Sequence, residues 1–160
     1  MSPTNYEKKR NFARTPEPKP SDLIDRTKWG EGLIYVIHRH QASHLHWDLR
    51  LEEAGWLKSW AIPKEPPAVE GVRRMAVHVE DHALKYAEFE GTIPEPEYGA
   101  GTVEIWDRGT YRPLETTASK RVFEIFGQQL KGLYCLIKLK AKDPKDKYWL
   151  FFKLKKGAAD

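Results

Sequence analysis

From Leu33 to Lys153 apolar and polar residues alternate in short runs, and no stretch keeps the three- and four-residue apolar spacing of a helix. The runs are Leu33 to His40, His44 to Leu51, Trp56 to Ile62, Arg74 to Glu80, Thr102 to Trp106, Lys120 to Phe126, Leu133 to Leu139 and Lys147 to Lys153, and Gly, Pro, Asn or Asp separate most of them. About eight short strands predict a mainly β fold. The expected form is a compact single-domain β-barrel with only short helical turns, a sandwich being the alternative. Trp47, Trp56, Trp60, Trp106 and Trp149 fall mostly inside apolar strand patterns and are expected in the core rather than as base-stacking platforms.

A chain of 160 residues can bury a real core without disulfides or structural metal. Residues 1–32 differ in texture, being rich in Pro and charge and poor in apolar anchors, and read as an N-terminal arm with a short helical turn, leaving 33–155 as the barrel domain. Glu88 to Gly101, EFEGTIPEPEYGAG, carries too much Gly and Pro for a regular element and is expected as a long loop over one rim. The last four residues, Gly157 to Asp160, are expected to fray. The lone cysteine, Cys135, excludes a disulfide framework and a Cys-based zinc site, and its apolar run makes it buried filler. With no signal-peptide pattern and no run of membrane-spanning length, the expectation is a soluble cytoplasmic protein. The net charge of +4 tilts the expected partner toward an anion such as nucleic acid.

The densest chemistry lies in His40-Gln41-Ala42-Ser43-His44-Leu45-His46-Trp47-Asp48-Leu49-Arg50-Leu51. On a strand, His44, His46, Asp48 and Arg50 share one face while Leu45, Trp47, Leu49 and Leu51 share the other. A short hairpin brings His40 back over His46 and Asp48. Two imidazoles and a carboxylate then form a three-point metal site with open positions, suited to zinc, manganese or iron(II). His44 is read as a neighbour rather than a ligand. Arg50 beside such a cation suits a phosphoryl or carboxylate group, the alternative being a surface pair with Glu52 or Glu53.

A second alternating run, Arg73 to His82, places Arg74, Ala76, His78, Glu80 and His82 on one face. By itself this strand reads as a polar barrel exterior. If its face joins that of residues 44–51, His82 becomes a candidate proton donor, Arg74 a second anion clamp, and Glu80 an orienting carboxylate. Lys64 follows a proline that can aim it over a rim. No phosphate-binding glycine loop and no nucleophile elbow is present.

Longer motifs carry a family resemblance. RNFARTPEP at 10–18, HRHQASHLHWDLRLE at 38–52, LKSWAIPK at 57–64, RRMAVHVEDHALKYAEFEGTIPEPEYGAGTVEIWDRGTY at 73–111 and YWLFFK at 148–153 together resemble the 3′-phosphoesterase domain of bacterial ligase D, over most of the chain. The resemblance implies a compact β-barrel that heals 3′ ends in nonhomologous end joining with a divalent metal, typically manganese, zinc or cobalt(II) being alternatives. It implies removal of a 3′-terminal ribonucleoside to leave a 3′-phosphate, then hydrolysis of that phosphate. The implied metal ligands are His40, His46 and Asp48, with Arg50, His82, Tyr86 and Arg74 acting on the scissile phosphate. Lys64, Glu80, Arg10, Glu17 and His38 are implied in substrate binding, which gives the arm a part in the site.

Three positions depart from the family pattern: Asn11, where Asp often stands, His38, where Gln often stands, and Ala83, where Pro often follows the histidine. Polymerase and ligase modules are absent from these residues, so the expectation is a stand-alone enzyme meeting an ATP-dependent DNA ligase and Ku in trans. Two other classes remain in view. A noncatalytic nucleic-acid-binding module would keep the charge and aromatics without a metal. A two-histidine, one-carboxylate iron oxygenase would use the metal but leave Arg50 and Arg74 without purpose.

Overall fold

The structure, a computed structural model, describes residues 5–140 and 147–155. Nine strands form in chain order: β1 (Leu33–Gln41), β2 (Leu45–Glu53), β3 (Trp56–Ile62), β4 (Arg73–Ala83), β5 (Gly91–Ile93), β6 (Gly101–Thr116), β7 (Lys120–Phe126), β8 (Lys131–Lys138) and β9 (Tyr148–Lys153). The ladder runs β1, β2, β3, β4, β9, β8, β7, β6, all antiparallel, and β1 pairs with β6 to close eight strands into a barrel. β5 adds to β6 as an extra strand. Helical structure among the described residues is one turn, α1 (Asn5–Lys8), and two 3₁₀ turns at Arg26–Lys28 and Leu84–Glu88. The expected fraying of Gly157 to Asp160 concerns residues outside those described.

Two expectations need correction. β6 continues to Thr116, well past the expected end at Trp106, because the Gly and Pro that read as turn signals serve the ladder. A Cβ on Gly109 would lie 2.0 Å from the Phe126 carbonyl oxygen, so only glycine lets β6 and β7 approach there. Pro113 stands beside the register shift between Pro113 and Glu115, where a missing N–H costs little. The segment from Glu88 to Gly101 is also not loop throughout, since Gly91–Ile93 pairs with β6 as β5.

Alternation builds two apolar layers. The inner one fills the barrel with Tyr35, Ile37, Trp47, Leu49, Leu51, Trp60, Ile62, Tyr134, Trp149 and Phe151, among others. The intervening residues of β1, Ile34 and Val36, face outward but are fully buried too. They pack with Tyr6, Trp29, Leu57, Tyr86, Ala87, Phe89 and Ile93, so the arm and the Leu84–Glu88 turn cover this side of the barrel wall. A one-sided core would leave those β1 positions in water. Cys135 is buried in a small outer cluster with Val122 and Phe152.

Asp107 ties the closure together. Its side chain is buried and accepts hydrogen bonds from the backbone N–H groups of Gln128, Gln129 and Leu130 at 2.8, 3.0 and 2.9 Å, and from the Tyr35 hydroxyl at 2.7 Å. Gly127 makes room, as a Cβ there would meet the Asp107 carboxylate at 2.4 Å. The Asp107→Ala variant strands several buried donors. It is expected to lose about 3–4 kcal/mol, seen as a lower urea midpoint with an unchanged slope.

Candidate active site

The β1–β2 hairpin sets the geometry. His40 lies opposite His46 and His38 opposite Asp48, while the β2–β3 ladder puts Ser59 opposite Arg50. Side chains directly across an antiparallel pair are near neighbours on one face. His38, His40, His46, Asp48, Arg50 and Ser59 therefore gather on the outer face of the barrel wall, under the arm. They border or underlie a cavity of about 250 Å³ reached also by Arg10, Glu17, Glu80, His82, Tyr86 and Tyr98.

The donor set suits a divalent cation. His40 Nε2 lies 2.8 Å from the Gly99 carbonyl oxygen, and His46 Nδ1 lies 3.1 Å from that of His44. A carbonyl only accepts, so each of these nitrogens carries the proton and the other ring nitrogen presents a lone pair. Those lone pairs converge on Asp48: His46 Nε2 is 3.1 Å and His40 Nδ1 3.8 Å from Asp48 Oδ2. One ligand atom from each residue lies within 4.8 Å of the others. Three such atoms of mixed nitrogen and oxygen character fit zinc, manganese or iron(II) without naming one. Gly99 holds its position through a neighbour, since a Cβ on Gly101 would lie 2.2 Å from the Gln41 carbonyl oxygen.

Burial opposes ionisation of Asp48, but the Arg50 charge, with the His40 and His46 rings beside it, outweighs burial and holds the carboxyl well below its usual range. For His46, burial lowers the imidazole pKa, yet the Asp48 carboxylate favours the protonated ring and leaves the net shift upward. Arg50 is itself buried. Its Nε donates to His38 Nδ1 at 3.1 Å, Nη1 donates to Ser59 Oγ at 2.9 Å, and Nη2 lies 3.3 Å from Asp48 Oδ2. A guanidinium carries five N–H donors, so some remain for an anion in the cavity. The Tyr86 ring lies under it at 4.9 Å.

His38 does not reach the cavity. It is fully buried behind Arg50, accepting from Arg50 at Nδ1 and donating from Nε2 to the Phe89 carbonyl oxygen at 3.1 Å. Burial, then the Arg50 charge, push its pKa down to about 3, so the ring is neutral. A glutamine offers the same acceptor and donor pair.

The arm closes the cavity. Tyr6 is fully buried, its hydroxyl donates to the Pro18 carbonyl oxygen, and its ring stacks on the Arg10 guanidinium at 4.0 Å. Burying one such ring contributes about 2–3 kcal/mol, whereas ordering each backbone residue costs about 1–2 kcal/mol. Apolar contact alone does not hold the arm. Polar ties complete it: Arg10 Nε donates to Glu17 at 2.8 Å, Thr15 Oγ1 donates to Glu17 at 2.9 Å, and Arg10 Nη1 is 3.7 Å from Glu80.

His82 reaches the same cavity through a bulge. Leu57 pairs with His82 but Ser59 pairs with Val79, so β4 gains a residue between them. The expected shared face of Ala76, His78, Glu80 and His82 is therefore split. Ala76 joins the barrel core and His78 stacks on Trp60 at 5.1 Å, while His82 faces outward into the cavity. His82 Nδ1 donates to the Glu80 carbonyl oxygen at 3.1 Å, and Nε2 faces Arg10 Nη2 at 3.4 Å. Burial, followed by the charges of Arg50 and Arg10, holds its pKa well below the ordinary value. The ring is neutral near pH 7, so a proton-donor role requires a bound anion to offset the two guanidiniums.

Arg74 and Lys64 are not brought to the cavity. Arg74 Nε donates to the Glu65 carbonyl oxygen at 2.9 Å, and Lys64 is exposed. His44 is exposed in the turn and acts through its carbonyl. Asn11, also exposed, accepts from the Ala13 N–H at 3.1 Å, a bond an aspartate would make equally. Sequence reasoning overlooked Ser59, Tyr6, Lys9 and Tyr98. Lys9 Nζ lies 3.3 Å from Glu80 and 4.7 Å from the centre of the Tyr98 ring. Ser59 was findable, because a tight β2–β3 hairpin places it opposite Arg50. The other three are joined only by the arm and loop meeting in space.

Residues 38–138 match the model of the DNA Ligase D 3'-phosphoesterase domain. The chain belongs to this family. It is 44% identical to the multifunctional non-homologous end joining protein LigD of Pseudomonas aeruginosa over 96% of its own length. It is 42% identical over 84% of its length to the multifunctional non-homologous end joining DNA repair protein LigD of Mycobacterium tuberculosis strain H37Rv. Against the LigD protein of Mycolicibacterium smegmatis it is 37% identical over 95%. The chain spans only about a fifth of the length of these relatives, 19%, 18% and 20% respectively. Among the described residues no helix is long and apolar enough to cross a membrane.

His38 allows a direct check of this phosphoesterase-family site. Its folded pKa lies below the value of about 6.5 in the unfolded chain, so unfolding takes up a proton between that pH and about 3. The stability it contributes is complete above pH 6.5 and falls as pH drops through this window. With chelator present, His38→Gln is expected to flatten the loss of stability between pH 6.5 and 4.5 by up to about 1.4 kcal/mol per pH unit. Urea unfolding at a series of pH values measures this slope.

Proposed function

We propose that this protein is a metal-dependent 3′-end-healing phosphoesterase that removes a 3′-terminal ribonucleoside from a nucleic-acid end and then removes the 3′-phosphate. The observation that carries the reading is one cavity holding both the His40, His46 and Asp48 donor set and the guanidiniums of Arg10 and Arg50. An oxygenase would have no use for the two cations, and a purely binding module would have none for the donor set. In the first step a water oxygen bonds to phosphorus, the bond to O5′ of the terminal nucleoside breaks, and that oxygen takes a proton. In the second, another water adds, the bond to O3′ of the remaining strand breaks, and inorganic phosphate leaves.

When bound at His40, His46 and Asp48, a divalent cation, in this reading manganese with zinc or cobalt(II) as alternatives, supplies Lewis acidity toward a phosphate oxygen. Arg50 and Arg10 neutralise charge on the non-bridging oxygens, the chief task of a protein in phosphoryl transfer. Arg50 does so in a fixed pose because His38 and Ser59 hold it. The phosphate charge offsets the guanidiniums and raises the His82 pKa, so Nε2 can hold a proton for the leaving oxygen. The Tyr86 hydroxyl positions the phosphate beside it, and Glu17 and Glu80 orient Arg10. Lys64 and Arg74 are assigned to the strand outside the cavity. Arm and barrel act as one unit, meeting nucleic-acid 3′ ends in the cytoplasm alongside an ATP-dependent DNA ligase and Ku.

The test is a labelled primer-template duplex ending in one ribonucleotide, incubated with manganese. Expected products are the strand shortened by one nucleoside with a 3′-phosphate, then the 3′-hydroxyl form. A strand that keeps its length and end group would sink the proposal. Chelator, His40→Ala and Asp48→Ala are each expected to abolish both steps. Arg50→Lys keeps the charge but loses the planar fork, and is expected to lower kcat by about 10²–10³-fold.

A further inference from the structure

Two larger cavities adjoin the central one, each sharing a different set of lining residues with it. On the β4 side, a groove of about 520 Å³ shares Val79, Glu80 and Tyr98 with it. On the β1 and β5 side, a groove of about 510 Å³ shares Ala42, Ile93 and Gly99. Their chemistry differs. The first is lined by Lys9 and Lys147, and its acids are already matched, Glu80 by Lys9 and Arg10 and Asp81 by Lys58 at 3.7 Å. Counting those partners and the Glu17 carboxylate on Arg10, it carries one positive charge in excess. The second offers the neutral hydrogen-bonding side chains of Gln41, Ser43 and Thr92, and its single charged lining residue is Glu95.

A substrate with a scissile phosphate at its last linkage has the matching asymmetry. The strand leading to that phosphate carries a charge at every linkage and is drawn to lysines. The terminal nucleoside carries no further phosphate, and offers only hydroxyls and base edges, which amide and hydroxyl side chains bond. We propose that the groove of Lys9 and Lys147 holds the strand on the 5′ side of the scissile phosphate, and that the groove of Gln41, Ser43 and Thr92 receives the departing 3′ nucleoside. This inference rests on the proposed function and adds a strand direction to it. Tyr98 stands on the wall between the first groove and the central cavity, with Lys9 on its ring, so it meets the nucleotide just 5′ of the cut. A cavity near 500 Å³ is in the size range that encloses a small organic group such as a nucleoside.

The experiment compares kcat/KM with manganese on two labelled duplexes, one ending in a ribonucleoside and one in a 3′-phosphate, for the wild type, Ser43→Trp and Lys147→Ala. Ser43 is exposed at the hairpin turn, and thermal melting checks that both variants fold. Ser43→Trp fills the nucleoside groove and is expected to lower the ratio of ribonucleoside removal to phosphate removal at least tenfold. Lys147→Ala is expected to lower both efficiencies together, leave the ratio within about twofold, and flatten the slope of log kcat/KM against log salt by about 0.7–0.9, as for one lost phosphate contact. An unchanged ratio in Ser43→Trp, or a changed ratio in Lys147→Ala, overturns the strand direction while the proposed function stands. A wild type inactive on both duplexes overturns the proposed function and this direction with it.

Discussion

Burying Asp48 is the constraint from which the site is built. A carboxylate with 5% of its surface exposed is costly to ionise unless other charges and donors surround it. Arg50 supplies the compensating charge at 3.3 Å, and being just as buried it needs acceptors of its own. His38 and Ser59 provide them, and His38 in turn needs the Phe89 carbonyl. One buried charge thus recruits β1, β2, β3 and the segment after the Leu84–Glu88 turn. The same chain of dependence fixes the Arg50 fork in one pose.

The barrel separates scaffold from chemistry. Inside, aromatic and aliphatic side chains fill the space, and the indole nitrogens of Trp47, Trp60 and Trp149 are buried without partners among the described residues. Outside, a second apolar layer supports the arm, and the polar site lies at its margin. A strand with both faces covered excludes water from whichever face carries charge. That dry setting strengthens the Asp48, Arg50 and His82 interactions and keeps His38 and His82 neutral.

Much of the barrel is legible in the alternation, because inward and outward residues along a strand differ by one position and the inner face must be apolar. The pairing of His40 with His46 follows from a short hairpin and is also legible. Where alternation breaks, reading by period misleads. The extra residue in β4 opposite Lys58 sends His78 into the barrel and His82 out of it, although the two are four apart in a run that looks regular. Arg74, on the far part of that strand, turns to the Glu65 carbonyl instead of joining Arg50.

The sequence by itself determined the β architecture, the clustering of His40, His46 and Asp48, and their neighbouring arginine, since each follows from residue type at alternating positions and a short hairpin. The family motifs also pointed to Arg10, Glu17, Glu80, His82 and Tyr86. Only the tertiary structure decided how these meet. Arg10 reaches His82 across 72 positions of chain, through an arm held by the burial of Tyr6 and the Arg10–Glu17 ion pair. It also decided that His38 stands behind Arg50 as a neutral support. Protonation state depends on burial and on charges brought in from distant segments, and no local pattern in the chain encodes either.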